Sequence, residues 1–129
     1  MTTVVDASAL LGLLSDAHDA VRSALGDRRL AAPEIVDLEV TSALRRQARA
    51  GERTIDDARR ALAELVALPE LDRYAHRPLV DRVWQLRENI TAYDASYVAL
   101  AEVLRAPLVT LDRRLARAAE PFCDVIVPG

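Results

Sequence analysis

The sequence predicts an α/β protein, a three-layer α/β/α sandwich on a short parallel sheet. Three observations predict it. Short β-rich runs alternate with longer helical ones along the chain. Residues 91–112, TAYDASYVALAEVLRAPLVTLD, read as one unit of capped helix, turn and strand, closing on an aspartate. The amino terminus has a similar register: a short strand, a carboxylate, then an apolar helix.

In chain order, Thr2 to Val5 is a β-rich run ending at Asp6, and Ala7-Ser8 leads into an apolar helical stretch from Ala9 to Leu14. A second helical segment from about His18 to Leu25 ends near Gly26. Leu30-Ala31-Ala32 is a weak strand closed by Pro33. Glu34 to Arg49 reads as a long helix with Val36, Val40, Ala43 and Leu44 as its buried stripe, and Gly51 ends it. Thr54 caps the next helix, whose apolar positions are Ala58, Ala61, Leu62, Leu65 and Val66. This stripe is expected to be only partly covered, and so to offer a partner surface. Leu71 to Tyr74 is a short strand, and Pro78 to Arg87 a helix with Leu79, Val83, Trp84 and Leu86 as apolar surface.

Thr91 then caps the central helix, with Asp94 three residues on, the spacing of a capping box. Ala95 to Leu104 is apolar on nearly every side, the mark of a buried helix. Pro107 stops it, Leu108 to Leu111 is a core strand, and Asp112 precedes the helical run Arg113 to Ala119. Cys123 to Val127 is the last strand.

Composition narrows the function. The chain has 129 residues, enough for one domain over residues 1–129 with its own core. No apolar run approaches the ~20 residues that span a bilayer, and no basic stretch precedes an apolar one, so the expected location is the cytoplasm. The lone Cys123 rules out an internal disulfide framework and a cysteine zinc site, and reads as a small core residue. His18 and His76 are isolated and read as surface residues. The net charge of −3 does not advertise nucleic-acid binding. All 17 basic residues are arginine. Without lysine there is no Walker phosphate site and no Schiff-base chemistry. Phosphoaspartate proteins, which usually pair aspartate with lysine, are disfavoured as well.

In a right-handed βαβ unit each helix starts at the edge where its strand ended. Asp6 and Asp112 end strands, Asp94 opens a helix, and Glu39 lies in the second turn of the helix after the Leu30 strand. Four acids far apart in sequence are therefore expected on the edge where open α/β sheets bind ligands. Singly, each has a structural explanation as a cap or a partner of the helix dipole. Together they repel, and a cation is needed. Arg113 and Arg114 can supply one only by folding inwards. A hard divalent cation, magnesium or manganese, suits an all-oxygen set and supports in-line attack at phosphorus. Glu34 and Asp37 are better explained by the helix dipole. Phosphate contacts would fall to Arg45, Arg46 and Arg49 on the Glu39 helix and to Arg113, Arg114 and Arg117 after Asp112. A solvated, ion-paired face is the plain alternative for these arginines. Aromatics for base stacking are few, Tyr93, Tyr97 and Trp84; Tyr93 can reach a base beside Asp94, though core packing is the simpler reading for it.

The runs VVDASALL, APEIVDLEVTSALRR, TAYDASYVALAE and LVTLDRRL, in this order and spacing, resemble the PIN domain, and within it the VapC-type toxins of bacterial toxin–antitoxin pairs. The resemblance covers essentially the whole chain. It implies a Mg2+-dependent endoribonuclease, with Mn2+ a possible substitute. It also implies RNA as substrate, a small antitoxin as partner, and a homodimer. Asp6, Glu39, Asp94 and Asp112 match the family's four acids, with Asp6, Asp94 and Asp112 as metal ligands and Glu39 completing the site or orienting water. Thr110 matches a supporting hydroxyl, and Ser8 and Ser96 are further candidates. Two rivals stay open on the residues alone: a non-catalytic interaction protein, and a metal-dependent phosphatase or DNA nuclease on a similar sheet.

Overall fold

The computed structural model describes residues 1–15 and 19–129. The start of the second helix near His18, and the exposure of His18, lie outside these residues. Elements run β1 (Thr2–Val5), α1 (Ala7–Leu13), α2 (Asp19–Leu25), β2 (Arg29–Pro33), α3 (Val36–Arg49), α4 (Ile55–Val66) and β3 (Leu71–Tyr74). A 3-10 turn, Arg77–Leu79, leads into α5 (Val80–Gln85), α6 (Ala92–Leu104), β4 (Leu108–Val109), α7 (Arg113–Ala119) and β5 (Val125–Ile126).

The strands form one parallel sheet in the order β3-β2-β1-β4-β5. From β1 the chain winds outwards to β3, then crosses back to β4 and continues to β5. Right-handed crossovers therefore set α1–α4 on one face and α5–α7 on the other. The winding reverses between β1 and β4. That reversal opens a crevice at the carboxyl ends of these two strands, the usual ligand position in such sheets.

Helix α6 is the inner wall on its face: every residue from Ala95 to Ala101 is buried, as an all-round apolar pattern requires. Thr91 accepts from the Asp94 N–H at 3.3 Å and Thr54 from the Asp57 N–H at 3.0 Å, so both expected caps form. Gly51, just past the end of α3, takes the left-handed conformation at φ 74°.

Several boundaries move, each for a visible reason. Helix α3 starts at Val36 rather than Glu34, because the Glu34 N–H is still held by the Tyr74 carbonyl of β3 at 2.8 Å. Glu39 consequently sits in the first turn of α3, not the second. Pro78 lies within a 3-10 turn, and the regular helix is confined to Val80–Gln85. Strand β4 stops at Val109 because the Leu111 N–H turns to the Ser8 hydroxyl. β5 covers only Val125–Ile126 of the expected Cys123–Val127.

The apolar stripe of α4 is partly covered, as its sequence implies. Ala61 and Leu65 are buried and Ala58 and Leu62 half-buried against the core, with Ile55 and Val66 left outside. Cys123 is half-buried rather than a core residue, its thiol pKa raised by burial to about 11.

An acidic cluster at the carboxyl edge of the sheet

Asp6 is the floor of the crevice. It leaves β1 and caps α1, so its backbone position is set by both. Its carboxylate is buried and takes three donors: the Thr110 hydroxyl at 2.6 Å, the Ser8 hydroxyl at 2.7 Å and the Ala9 N–H at 2.9 Å. The two hydroxyls also accept from the far side of the crevice. Thr110 takes the Asp112 N–H at 3.0 Å, and Ser8 takes the Leu111 N–H at 2.9 Å. Both supporting residues expected from the sequence thus join β1 to the loop after β4. Burial is the dominant effect on Asp6 and raises its pKa; the donors lower it by less, and Asp112 adds repulsion.

Glu39 enters from α3 and meets α6. The Tyr97 hydroxyl donates to its Oε1 in a very short hydrogen bond. Partial burial raises the Glu39 pKa, Tyr97 opposes this, and Asp94 and Asp6 add repulsion. The Tyr97 phenol is in turn pushed far above its ordinary range by burial and by the same acids.

Asp94 and Asp112 form the rim. Asp112 caps α7, its Oδ1 accepting from the Arg114 and Leu115 N–H groups at 2.9 and 3.2 Å. The guanidinium of Arg114 turns back over that cap. It stands 3.1 Å from Asp94 Oδ2 and 3.6 Å from Asp112 Oδ2, an inward-folded arginine shared by two acids.

The four acids expected to meet are therefore electrostatically coupled at one edge. The set is all oxygen, and it carries more negative charge than its single arginine can balance. That chemistry fits a hard divalent cation. Among the described residues no three acid, histidine or cysteine side chains stand as a ready-made ligand group. The rim oxygens face Arg114 instead.

Other candidates fall elsewhere. Arg45, Arg46 and Arg49 are exposed and lie six to ten residues beyond Glu39 on α3, about 9–15 Å along the helix and away from the acidic edge. Arg113 and Arg117 are exposed on α7. The Ser96 hydroxyl is buried and donates to the Tyr93 carbonyl within α6. Asp37 is engaged by both nitrogens of an Arg73 fork at 2.7 and 2.8 Å, and Glu34 lies 3.2 Å from the exposed His76, so both have partners besides the helix dipole. Tyr93 is 62% exposed rather than packed inside; Trp84 is 66% exposed, with Arg87 stacked on it at 4.5 Å. Sequence reasoning missed Tyr97 as a partner of Glu39. The available signal was its place three residues after Asp94, on the same face of the helix.

The PIN domain family model matches residues 3–121. The chain is 44% identical over 125 residues to VapC ribonuclease Mb0985 of Mycobacterium bovis, covering 96% of each chain. It is 42% identical over 126 residues to ribonuclease VapC1 of Mycobacterium tuberculosis, covering 95% of this chain and 94% of that one. Among solved structures it resembles PAE2754 from Pyrobaculum aerophilum (TM-score 0.72, 30% identity, 96% of this chain and 92% of that one). The crystal structure of VapBC2 from Rickettsia felis, bound to a DNA fragment from their promoter, matches in fold with a TM-score of 0.72 at 15% identity, covering both chains fully.

Proposed function

The chain belongs to the PIN domain family, in its VapC branch, and from that premise we propose that it is a divalent-metal-dependent endoribonuclease, the toxin of a toxin–antitoxin pair. Residues 1–129 act as a single nuclease domain. The observation that carries this reading is the coupled set of Asp6, Glu39, Asp94 and Asp112 at the topological switch point, four carboxylates of which two share one arginine. Such an excess of charge costs stability unless function uses it.

Asp6 and Asp94 would hold a magnesium or manganese ion, with Asp112 next, directly or through water. The ion would supply positive charge against a phosphoryl oxygen and acidify a water molecule. Asp6 is pre-aimed for this work, because Thr110, Ser8 and the Ala9 N–H fix its carboxylate before anything binds. Glu39 is the proton acceptor. Tyr97 occupies its Oε1, leaving Oε2 to take a proton from water, and burial has already made that carboxylate more basic than usual. Arg113, exposed beside Asp112, contacts phosphate on the incoming strand.

The relatives support RNA as the substrate and a small antitoxin as the partner, and a homodimer is the expected assembly. No described helix is long and apolar enough to cross a membrane. Purified protein freed of antitoxin should cleave single-stranded RNA in Mg2+, and EDTA should stop it. Cleavage that continues undiminished in EDTA, or in the Asp6→Asn variant, would sink the proposal.

A further inference from the structure

We infer that Arg114 is a built-in counter-cation for the acidic cluster, a positioning residue that occupies the rim oxygens of Asp94 and Asp112 and must give way before a divalent ion binds there. The inference rests on the metal reading above and adds to it a residue that sets the site's affinity for the ion. Its guanidinium is within 3.1 Å of Asp94 Oδ2 and 3.6 Å of Asp112 Oδ2. Asp112 Oδ1 is already committed to the helix cap, so Oδ2 is the oxygen left for an ion, and Arg114 faces it.

The position is not one a helix would choose for itself. Arg114 is the second residue of α7, where the dipole disfavours a positive charge. The acids hold it there. The hold is also a light one: the side chain is 67% exposed, and exposed ion pairs contribute little. Arg117, one turn later on the same helix, is exposed and makes no such bridge among the described residues. Arg114 is thus strong enough to quiet the repulsion between Asp94 and Asp112 and weak enough to be displaced.

The test is Mn2+ binding by calorimetry without RNA, on the full chain, comparing wild type with Arg114→Gln, Arg114→Lys, Arg117→Gln and Asp6→Asn. Losing two exposed pairs should tighten Mn2+ binding by about three- to tenfold in Arg114→Gln. Arg117→Gln should match wild type. Arg114→Lys, which keeps the charge on a differently shaped, more flexible side chain, should fall between wild type and Arg114→Gln. The metal-free melting temperature of Arg114→Gln should drop and its Mn2+-induced rise should grow. Wild type that takes up Mn2+ no better than Asp6→Asn would overturn the metal reading and this inference with it. Wild type that binds while Arg114→Gln binds no more tightly would overturn the role of Arg114 alone.

Discussion

The two ends of helix α6 handle acidic side chains in opposite ways. Near its carboxyl end Glu102 has an arginine to itself: Arg82 donates to both oxygens at 2.8 and 2.9 Å and lies over the Phe122 ring at 5.6 Å. At its amino end, among the described residues, Asp94 shares Arg114 with Asp112, Glu39 receives only a phenol, and Asp6 only hydroxyls and an N–H. One end is balanced, fork to carboxylate. The other is left in deficit. Packing alone gives no reason to gather uncompensated acids around one end of a helix, and the proposed cation and phosphate would offset the imbalance.

The sharpest way to break the comparison is at Asp6. Asp6→Asn should lower RNA cleavage by about 10²-fold or more, the scale on which one group stabilising the transition state acts. Its melting temperature should stay within a few degrees of wild type. A gel assay and a melting curve on one preparation read both; a variant that cuts at the parent rate would move the chemistry elsewhere.

Metal linkage comes next. Mg2+ at about 100 times its Kd should stabilise the protein by about 2.7 kcal/mol, by mass action. Asp6→Asn/Asp94→Asn should lose that gain in thermal or urea melts. An equal gain in both proteins would show the ion acting non-specifically.

The third prediction is pH dependence without metal. Burial raises the Asp6 and Glu39 pKa values, so the folded chain binds more protons than the unfolded one once pH climbs past the ordinary carboxylate range. Stability should therefore fall as pH rises from the unfolded pKa towards the raised folded ones, and level off above them. Urea melts in EDTA across that range should show the fall in wild type and a shallower one in Glu39→Gln. Tyr97→Phe should cost about 1 kcal/mol for the lost hydrogen bond. It should also shift the acid limb of the activity profile upwards, because Tyr97 now holds the Glu39 pKa down. An unmoved limb would remove Glu39 from proton transfer.

The smallest effect belongs to the balanced end. Arg82→Gln should cost up to about 1 kcal/mol, since the pair is partly exposed, and leave cleavage unchanged. A loss of activity there would blur the contrast between the two ends.

What the sequence made legible follows the backbone. Asp6, Asp94 and Asp112 could be placed because each ends a strand or opens a helix, and strand–helix register is written in short-range pattern. Thr54 and Thr91 were legible for the same reason. Long-range side-chain geometry was not. Tyr97 sits in an apolar run and reads as filler, yet its hydroxyl reaches across 58 positions to Glu39. The direction Arg114 takes is set by acids 2 and 20 residues away, which no local rule encodes. The start of α3 moved because a ladder hydrogen bond to β3 outlasted Pro33. Arg45, Arg46 and Arg49 share a helix with Glu39, but its rise carries them off the edge.

The placement of β1 has a consequence in time. It precedes the other four strands of the sheet in the chain yet lies in the middle of that sheet, and the Asp6 carboxylate waits for the Thr110 hydroxyl 104 positions later. At synthesis rates of about 5–20 residues per second, that is roughly 5–20 s of chain growth with no assembled acidic centre. A chain cut short anywhere before residue 112 lacks one wall of it. On the proposed ribonuclease reading, this order of assembly keeps a nascent chain harmless to RNA at least until residue 112 has been made.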